Sequence, residues 1–133
     1  MTTRKIITTN EAPKPVGPYN QAIAAAGIML FVSGQIAIDT KTNQIVYTND
    51  VSKQTEQAME NLKAILSEAG TTFSNVVKTT VYLKNMEDFV TVNEVYGKYF
   101  DSANAPARVC VEVSRLPKDV LVEIDCIAII PNS

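Results

Sequence analysis

The chain of 133 residues contains no histidine and few glycines. The missing histidine excludes Ser-His-Asp and Cys-His activation of a nucleophile, and it argues against a typical zinc site. Any proton transfer would therefore fall to carboxylates, tyrosines, lysines or water. The five glycines form neither a GxGxxG motif nor a Walker loop. We expect no metal and no cofactor.

The sequence also lacks a basic surplus and a long apolar run. Twelve basic residues face fourteen acidic ones, which gives a formal net charge of -2. Proteins that bind nucleic acid usually carry a basic patch, so a nucleic-acid partner is not expected. No apolar segment approaches the ~18 to 20 residues that span a bilayer, and no apolar leader is visible. We therefore expect a cytoplasmic protein without a membrane partner.

Cysteine is scarce as well. Cys110 and Cys126 lie in apolar, strand-like segments without CxxC spacing, which favours reduced, buried thiols. Cys110 could act as a nucleophile, but no activating group accompanies it in the sequence. We interpret Cys110 as part of a pocket wall.

The composition, with 46% hydrophobic and 20% charged residues, is typical of one globular domain spanning residues 1–133. Apolar residues recur every three or four positions over 51–69 and over 89–100, which predicts two helices. Asp50 or Asn49 can cap the first helix and Gly70 can end it. Period-two patterns predict six strands, over residues 5–8, 22–26, 29–35, 76–83, 107–113 and 120–130. The order βββαβαββ predicts an α+β fold in which two helices pack on one face of a six-stranded sheet.

Two predicted strands have faces of different character. In residues 120–130, every second side chain is apolar, whereas the alternate positions include Glu123 and Asp125. In residues 107–113, Val109 and Val111 alternate with Arg108 and Cys110. We expect the valines, together with Val113, to join the core and Arg108 to share the mixed face with Glu123. That face is too apolar for solvent and too charged for a core, which indicates an oligomer interface with a polar cleft.

Three places could carry chemistry. Arg108 can grip a carboxylate through two parallel hydrogen bonds, or it can form a structural ion pair with Glu123 or Glu112. Tyr19 follows the Gly17-Pro18 turn, where it could contact a ligand or simply pack. Gly34 in Ser33-Gly34-Gln35 allows close approach to the backbone, or it marks a β-bulge.

These segments together resemble the Rid family, formerly the YjgF group, and specifically its RidA branch of 2-iminobutanoate/2-iminopropanoate deaminases. The resemblance covers nearly the whole chain and is most specific in Pro106-Ala107-Arg108-Val109-Cys110-Val111-Glu112-Val113-Ser114-Arg115-Leu116-Pro117-Lys118-Asp119, followed by Glu123-Ile124. Gly17-Pro18-Tyr19, Ser33-Gly34-Gln35 and Lys78-Thr79-Thr80-Val81-Tyr82-Leu83 agree with the family in order and spacing.

The resemblance implies a chorismate-mutase-like homotrimer whose sites lie between subunits. It implies that Arg108 clamps the carboxylate of an imino or keto acid, that Glu123 holds the attacking water, and that five further residues contact the substrate. These residues are Tyr19, Ser33, Gly34, Asn93 and Cys110.

The implied activity is hydrolysis of 2-imino acids, formed from 2-aminoacrylate or 2-aminocrotonate enamines, to 2-keto acids and ammonia. Two other functions stay open. A non-catalytic protein that binds keto or amino acids would use Arg108 in the same way but would have no need for Glu123. An endoribonuclease or translation inhibitor fits less well, because RNA cleavage commonly uses an acid-base pair beside a cationic groove.

Overall fold

The structure, a computed structural model, describes residues 3–131, so the predicted domain of residues 1–133 extends past the described part at both ends. Two α-helices and eight strands follow one another along the chain. They are β1 (Thr3–Ile7), β2 (Ala22–Ala26), β3 (Ile28–Gln35), β4 (Ile38–Asp39), β5 (Gln44–Ile45), α1 (Val51–Glu68), β6 (Val76–Leu83), α2 (Phe89–Tyr96), β7 (Ala107–Glu112) and β8 (Val122–Ile130). Neither described helix has the length and apolarity needed to cross a membrane.

Both helices begin where the sequence predicts. The carboxylate of Asp50 accepts a hydrogen bond from the backbone N–H of Lys53 at 3.0 Å and caps α1. Beyond the other end, Gly70 has a φ of +83°, the left-handed conformation that favours glycine after a helix. α2 is shorter than predicted, because after Tyr96 the chain tightens at Gly97 into a 3₁₀ turn that ends at Tyr99.

The prediction of one six-stranded sheet is wrong. The main sheet has four strands in the order β3-β8-β6-β7, and β1 pairs with β2 in a separate hairpin. One residue, Gly27 with a φ of +139°, joins β2 to β3, whereas strands that pair through a tight turn need at least two loop residues. β2 and β3 therefore do not pair as a hairpin, and each pairs with another strand. Strands β4 and β5, which the sequence pattern did not reveal, form a second small hairpin.

The hairpin β1–β2 is fastened to the main sheet by Arg4. Its Nη2 donates to the carbonyl oxygens of Val76 at 2.8 Å and Asn104 at 2.7 Å. Charged donors make strong hydrogen bonds to carbonyl groups, so this side chain fixes the hairpin beside the start of β6.

The sheet is mixed, because β6 and β7 run parallel while β8 is antiparallel to both of its neighbours. The two helices cover one face of it, and the alternating apolar residues of β8 lie beneath them as predicted. Val122, Ile124, Cys126 and Ala128 are each at most 2% exposed.

The opposite face of the sheet is left uncovered in this chain, and we call it the open face. Val109 and Val111 point to it, and their side chains remain 42% and 37% exposed. The expectation that these valines join the core is wrong. Their neighbours on β6 are Thr80 and Tyr82, which alternate with the buried Thr79 and Val81. The register of β7 against β6, which the sequence does not encode locally, decides the face.

One buried polar residue, Gln54, ties α1 to the start of β8. It donates to the carbonyl oxygen of Tyr47 at 2.9 Å and accepts from the backbone N–H of Leu121 at 2.8 Å. Gln54 is fully buried, so both bonds replace lost hydration. The strand that carries Glu123 is thereby fixed against the helix.

Candidate functional site

The structure divides the predicted site residues between the two faces of the sheet. In the register of the strands, Arg108 lies opposite Thr79 and Glu123 lies opposite Tyr82. Successive side chains of a strand point to opposite faces, so Arg108 lies on the helix-covered side and Glu123 on the open face. The expectation that both share one face of the chain is wrong. Tyr19, Asn93 and Cys110 lie on the side of Arg108. Gly34 lies beside Glu123, and Ser33 precedes Gly34 in β3 as an exposed residue.

Arg108 lies in a hollow walled by aromatic rings, which we call the arginine hollow. Its Cζ atom is 5.0 Å from the ring centroid of Tyr96, 5.1 Å from that of Tyr19 and 5.6 Å from that of Phe89. Nη1 donates to Oδ1 of Asn93 at 2.6 Å. Guanidinium groups within about 6 Å of a ring face are attracted by its quadrupole. The group is thus held by neutral partners.

No carboxylate of residues 3–131 pairs with Arg108. The ion pair formed within that range joins Arg115 to Asp119 at 2.7 Å, on the surface. Glu112, one of the two partners considered from the sequence, instead accepts from the backbone N–H of Met86 at 2.8 Å. The structural ion pair is therefore absent, and the half-buried guanidinium keeps N–H donors for an anion.

The loop that carries Tyr19 is fastened directly to the strand that carries Arg108. Asn20 donates to the carbonyl oxygens of Pro106 at 3.1 Å and Ala105 at 2.7 Å. A Cβ atom on Gly17 would lie 3.0 Å from Nη2 of Arg108. Glycine at this turn therefore preserves the space beside the guanidinium.

Cys110 follows Arg108 by two residues on the same side of β7. Its thiol is free and half-buried, and burial raises its pKa while the charge of Arg108 lowers it to a smaller extent. A raised pKa leaves little of the reactive thiolate at neutral pH. The structure is consistent with Cys110 as a wall of the hollow. Cys126 is buried, as predicted.

On the open face, Glu123 borders a cavity of about 300 Å³, which we call the glutamate pocket. The other lining residues are Gly34, Gln35, Ile36, Ile38 and Pro117. The register of β3 against β8 shifts between Val32 and Gln35, so Ser33-Gly34 is a β-bulge. At the bulge Glu123 lies so close that a Cβ atom on Gly34 would be 2.7 Å from its Cδ. The β-bulge interpretation of Gly34 is therefore confirmed, whereas close approach of a ligand to its backbone stays a prediction.

The pKa of Glu123 is raised, first by burial and then by the charge of Asp125. Asp125 itself accepts hydrogen bonds from the backbone N–H of Thr80 at 3.2 Å and from the Tyr82 hydroxyl at 3.3 Å. Glu123 accepts none from any residue that the structure describes. A carboxyl group with a raised pKa and free oxygens is suited to bind water and accept its proton.

Sequence reasoning missed the residues that complete both places. Phe89 and Tyr96 belong to the apolar pattern that predicts the second helix, and Asn93 between them is a polar side chain within that pattern. That interruption is the signal that could have identified the helix face as a site. Gln35, Ile36, Ile38 and Pro117 carry no comparable signal, because a cavity depends on how separate segments meet.

The fold and these two places define a small α+β protein with an arginine among aromatic rings on one side of its sheet and a pocket bordered by a glutamate on the other. The sequence profile described as endoribonuclease L-PSP matches residues 9–130. A RutC family protein of Synechocystis is 62% identical over 98% of this chain and 99% of its own length. A 2-iminobutanoate/2-iminopropanoate deaminase of Salmonella typhimurium is 49% identical over 94% of this chain and 97% of its own.

Among solved structures, that of TdcF from Escherichia coli with bound serine superposes with a TM-score of 0.72 at 44% identity. It covers 96% of this chain and 99% of its own. The chain belongs to the endoribonuclease L-PSP family, whose members also carry the names Rid, YjgF and RutC.

Replacing Glu123 by glutamine is expected to stabilise the protein at neutral pH. Because the folded-state pKa of Glu123 is raised, ionising this carboxyl group costs more in the folded than in the unfolded chain. The cost is present above the folded-state pKa and vanishes below the usual value of 4.5. The melting temperature of Glu123→Gln should therefore exceed that of the wild type at neutral pH, and the difference should shrink as the pH falls towards 4.5.

Thermal unfolding at equal protomer concentration measures this difference. Glu94→Gln, which changes an exposed carboxylate on α2, is the matched control and should leave the melting temperature unchanged. A Glu123→Gln protein that melts below the wild type at neutral pH contradicts the prediction.

Gly34→Ala is expected to displace the Glu123 side chain while the fold survives. Gly34 has no left-handed backbone, so the new methyl group meets the carboxylate rather than straining the chain. Displaced towards solvent, Glu123 should titrate closer to its usual pKa, as followed by NMR of its carboxyl carbon. Gly97→Ala is the control, since its Cβ would lie an ordinary 3.5 Å from Pro18. An unaltered Glu123 titration in Gly34→Ala would count against the close approach.

Proposed function

We propose that this chain is a hydrolytic deaminase of the RidA branch, which converts 2-imino acids to 2-keto acids and ammonia. Two comparisons support the proposal. A relative 49% identical along nearly its whole length is named 2-iminobutanoate/2-iminopropanoate deaminase. The similar structure of TdcF contains serine, a small molecule that carries an α-carboxylate, as do the proposed substrates.

The arginine hollow is the observation that carries the proposal. Arg108 has aromatic neighbours and one neutral hydrogen-bond acceptor, Asn93, at 2.6 Å. A half-buried guanidinium without an acidic partner gains most from a bound anion, and a planar carboxylate matches its parallel N–H donors. A 2-imino acid offers that carboxylate beside its reactive carbon.

The proposed site forms between copies of the chain. Arg108 and Glu123 lie on opposite faces of one sheet, so they can act on one small molecule when they come from two chains. The open face supports such contact, since Phe31, Val109 and Val111 are 72%, 42% and 37% exposed there. Apolar patches of this kind mark association surfaces. We infer a homotrimer of chorismate-mutase type in which the arginine hollow of one chain meets the glutamate pocket of the next.

The reaction asks little of such a site. Arg108 would bind the carboxylate, which places the iminium carbon beside a water in the glutamate pocket. Glu123 would accept a proton as the water oxygen bonds to that carbon and the C=N bond becomes single. Glu123 would then return this proton to the carbinolamine nitrogen, the C–N bond would break, and the hydroxyl proton would pass to the departing ammonia as the C=O bond forms. The products are a 2-keto acid and an ammonium ion.

A non-catalytic binding protein would use the arginine hollow equally well. The glutamate pocket favours the enzyme, because a protein that only binds carboxylates has no use for a carboxyl group with a raised pKa, which serves better as a base. A coupled assay separates the two functions. Threonine dehydratase supplies the imine precursor, and the release of 2-oxobutanoate is timed with and without this protein.

In that assay, Arg108→Ala is expected to lower turnover by about 100-fold or more, since a bidentate charge-assisted contact contributes on the order of 3 kcal/mol. The oligomer, measured by light scattering, should persist. Lys63→Ala removes an exposed cation from α1 and is the matched control. Normal turnover by a folded Arg108→Ala protein would refute the proposal.

Mixing two inactive variants tests the shared site. Arg108→Ala and Glu123→Gln chains, each inactive alone, are unfolded together and refolded into hybrid oligomers. In a cyclic assembly about a quarter of the sites would then combine an intact arginine with an intact glutamate, and a corresponding share of activity should return. Each variant refolded alone serves as the control. Hybrids that assemble yet stay inactive would show that Arg108 of one chain does not act together with Glu123 of another.

A further inference from the structure

We infer that Phe89 and Tyr96 are positioning residues for the carboxylate clamp, because their rings hold the guanidinium of Arg108 in place of an acidic partner. The inference rests on the proposed function, since it specifies how Arg108 binds the substrate carboxylate. The two residues lie two helical turns apart on α2, and Asn93 lies between them on the same side. One helix face therefore supplies two rings and the amide acceptor.

Tyr96 forms the rigid floor of the arginine hollow. It is fully buried, and its hydroxyl group hydrogen-bonds to that of Thr79 at 2.7 Å. Thr79 is the neighbour of Arg108 in the β6–β7 pairing. The ring is therefore anchored at the root of the arginine side chain, and the guanidinium carbon lies 5.0 Å from its centroid. Burial raises the pKa of Tyr96 to about 12, so the floor stays neutral.

Phe89 and Tyr19 contribute the remaining rings, at 5.6 Å and 5.1 Å from the guanidinium carbon. A carboxylate partner would hold the arginine as firmly, but the substrate would then have to displace it. Ring faces attract the cation without occupying its N–H donors, which lie in the guanidinium plane. The arrangement therefore orients Arg108 and leaves the N–H donors that Asn93 does not use for the substrate.

This arrangement also explains why Phe89 is half-buried at the start of α2 rather than sunk into the core. A leucine there would keep most of the apolar contact and lose the ring quadrupole. A tyrosine there would keep both the apolar contact and the ring quadrupole. Comparing Phe89→Leu with Phe89→Tyr therefore separates a role in positioning the guanidinium from a role in packing.

The test compares two ligands, 2-oxobutanoate and its uncharged amide 2-oxobutanamide, whose binding is measured by titration calorimetry. Phe89→Leu should weaken the acid roughly 5- to 20-fold, the range expected from losing one desolvated cation–π contact, and should leave binding of the amide unchanged. Phe89→Tyr should restore the affinity for the acid. Thr79→Val, which removes the hydrogen bond that holds the Tyr96 ring, should weaken binding of the acid roughly 2- to 5-fold and should again leave binding of the amide unchanged.

Phe73→Leu is the matched control, because Phe73 packs against Tyr99 and Phe100 and is joined to the Tyr96 ring through Phe100 rather than directly. It should affect neither ligand. If Phe89→Leu weakens binding of the acid and the amide equally, or weakens neither, the inference is wrong. The carboxylate clamp itself is still supported in that case, provided that the wild type binds the acid more tightly than the amide. A wild-type protein that binds acid and amide equally would overturn the clamp and this inference together. A clamp that binds the acid in a protein without deaminase turnover would refute the proposed function alone.

Discussion

The organisation of this protein depends on a guanidinium that is half-buried without an acidic partner. Burying a cation is costly unless other groups replace its hydration, and here rings and one amide do so. The positions of the neighbouring elements follow from this replacement of water by rings and an amide. α2 must present Tyr96 and Asn93 on one side, and the turn at Gly17 must leave room for the guanidinium. β7 must pair with β6 so that Arg108 lies beside Thr79 and over the Tyr96 ring.

The two faces of the sheet have different tasks because strand residues alternate. On the helix side, the chain completes its core and orients Arg108. On the open face, it leaves Glu123 beside a cavity and several apolar side chains in solvent. A single chain therefore carries Arg108 and Glu123 on opposite faces of its sheet, pointing away from each other. Under the proposed function, assembly is then a requirement of the chemistry, because a lone chain has a clamp without its base.

Much of the fold could be predicted from local patterns. The 3.6-residue period located both helices, Asp50 marked the start of α1, and the period-two apolar residues of β8 lie in the core. The errors arise where long-range register decides. Val109 and Arg108 alternate as predicted, but which of them faces the helices is set by the pairing of β7 with β6. The glutamate pocket is a further case, since it joins the bulge after Val32 to Pro117 and Glu123, which lie far from the bulge in sequence.

The raised pKa of Glu123 connects binding to activation. Without a ligand, burial and Asp125 disfavour the ionised form that a base requires. A protonated imine brings a positive charge towards this carboxyl group, and a nearby cation lowers the pKa that burial has raised. The substrate would thus favour the ionised state of its own base, whereas a keto acid, which lacks that charge, would not. Under the proposed function, one carboxyl group can therefore accept the proton of water while the iminium is bound and bind the keto-acid product, which lacks the iminium charge, less tightly, without a histidine to carry the charge.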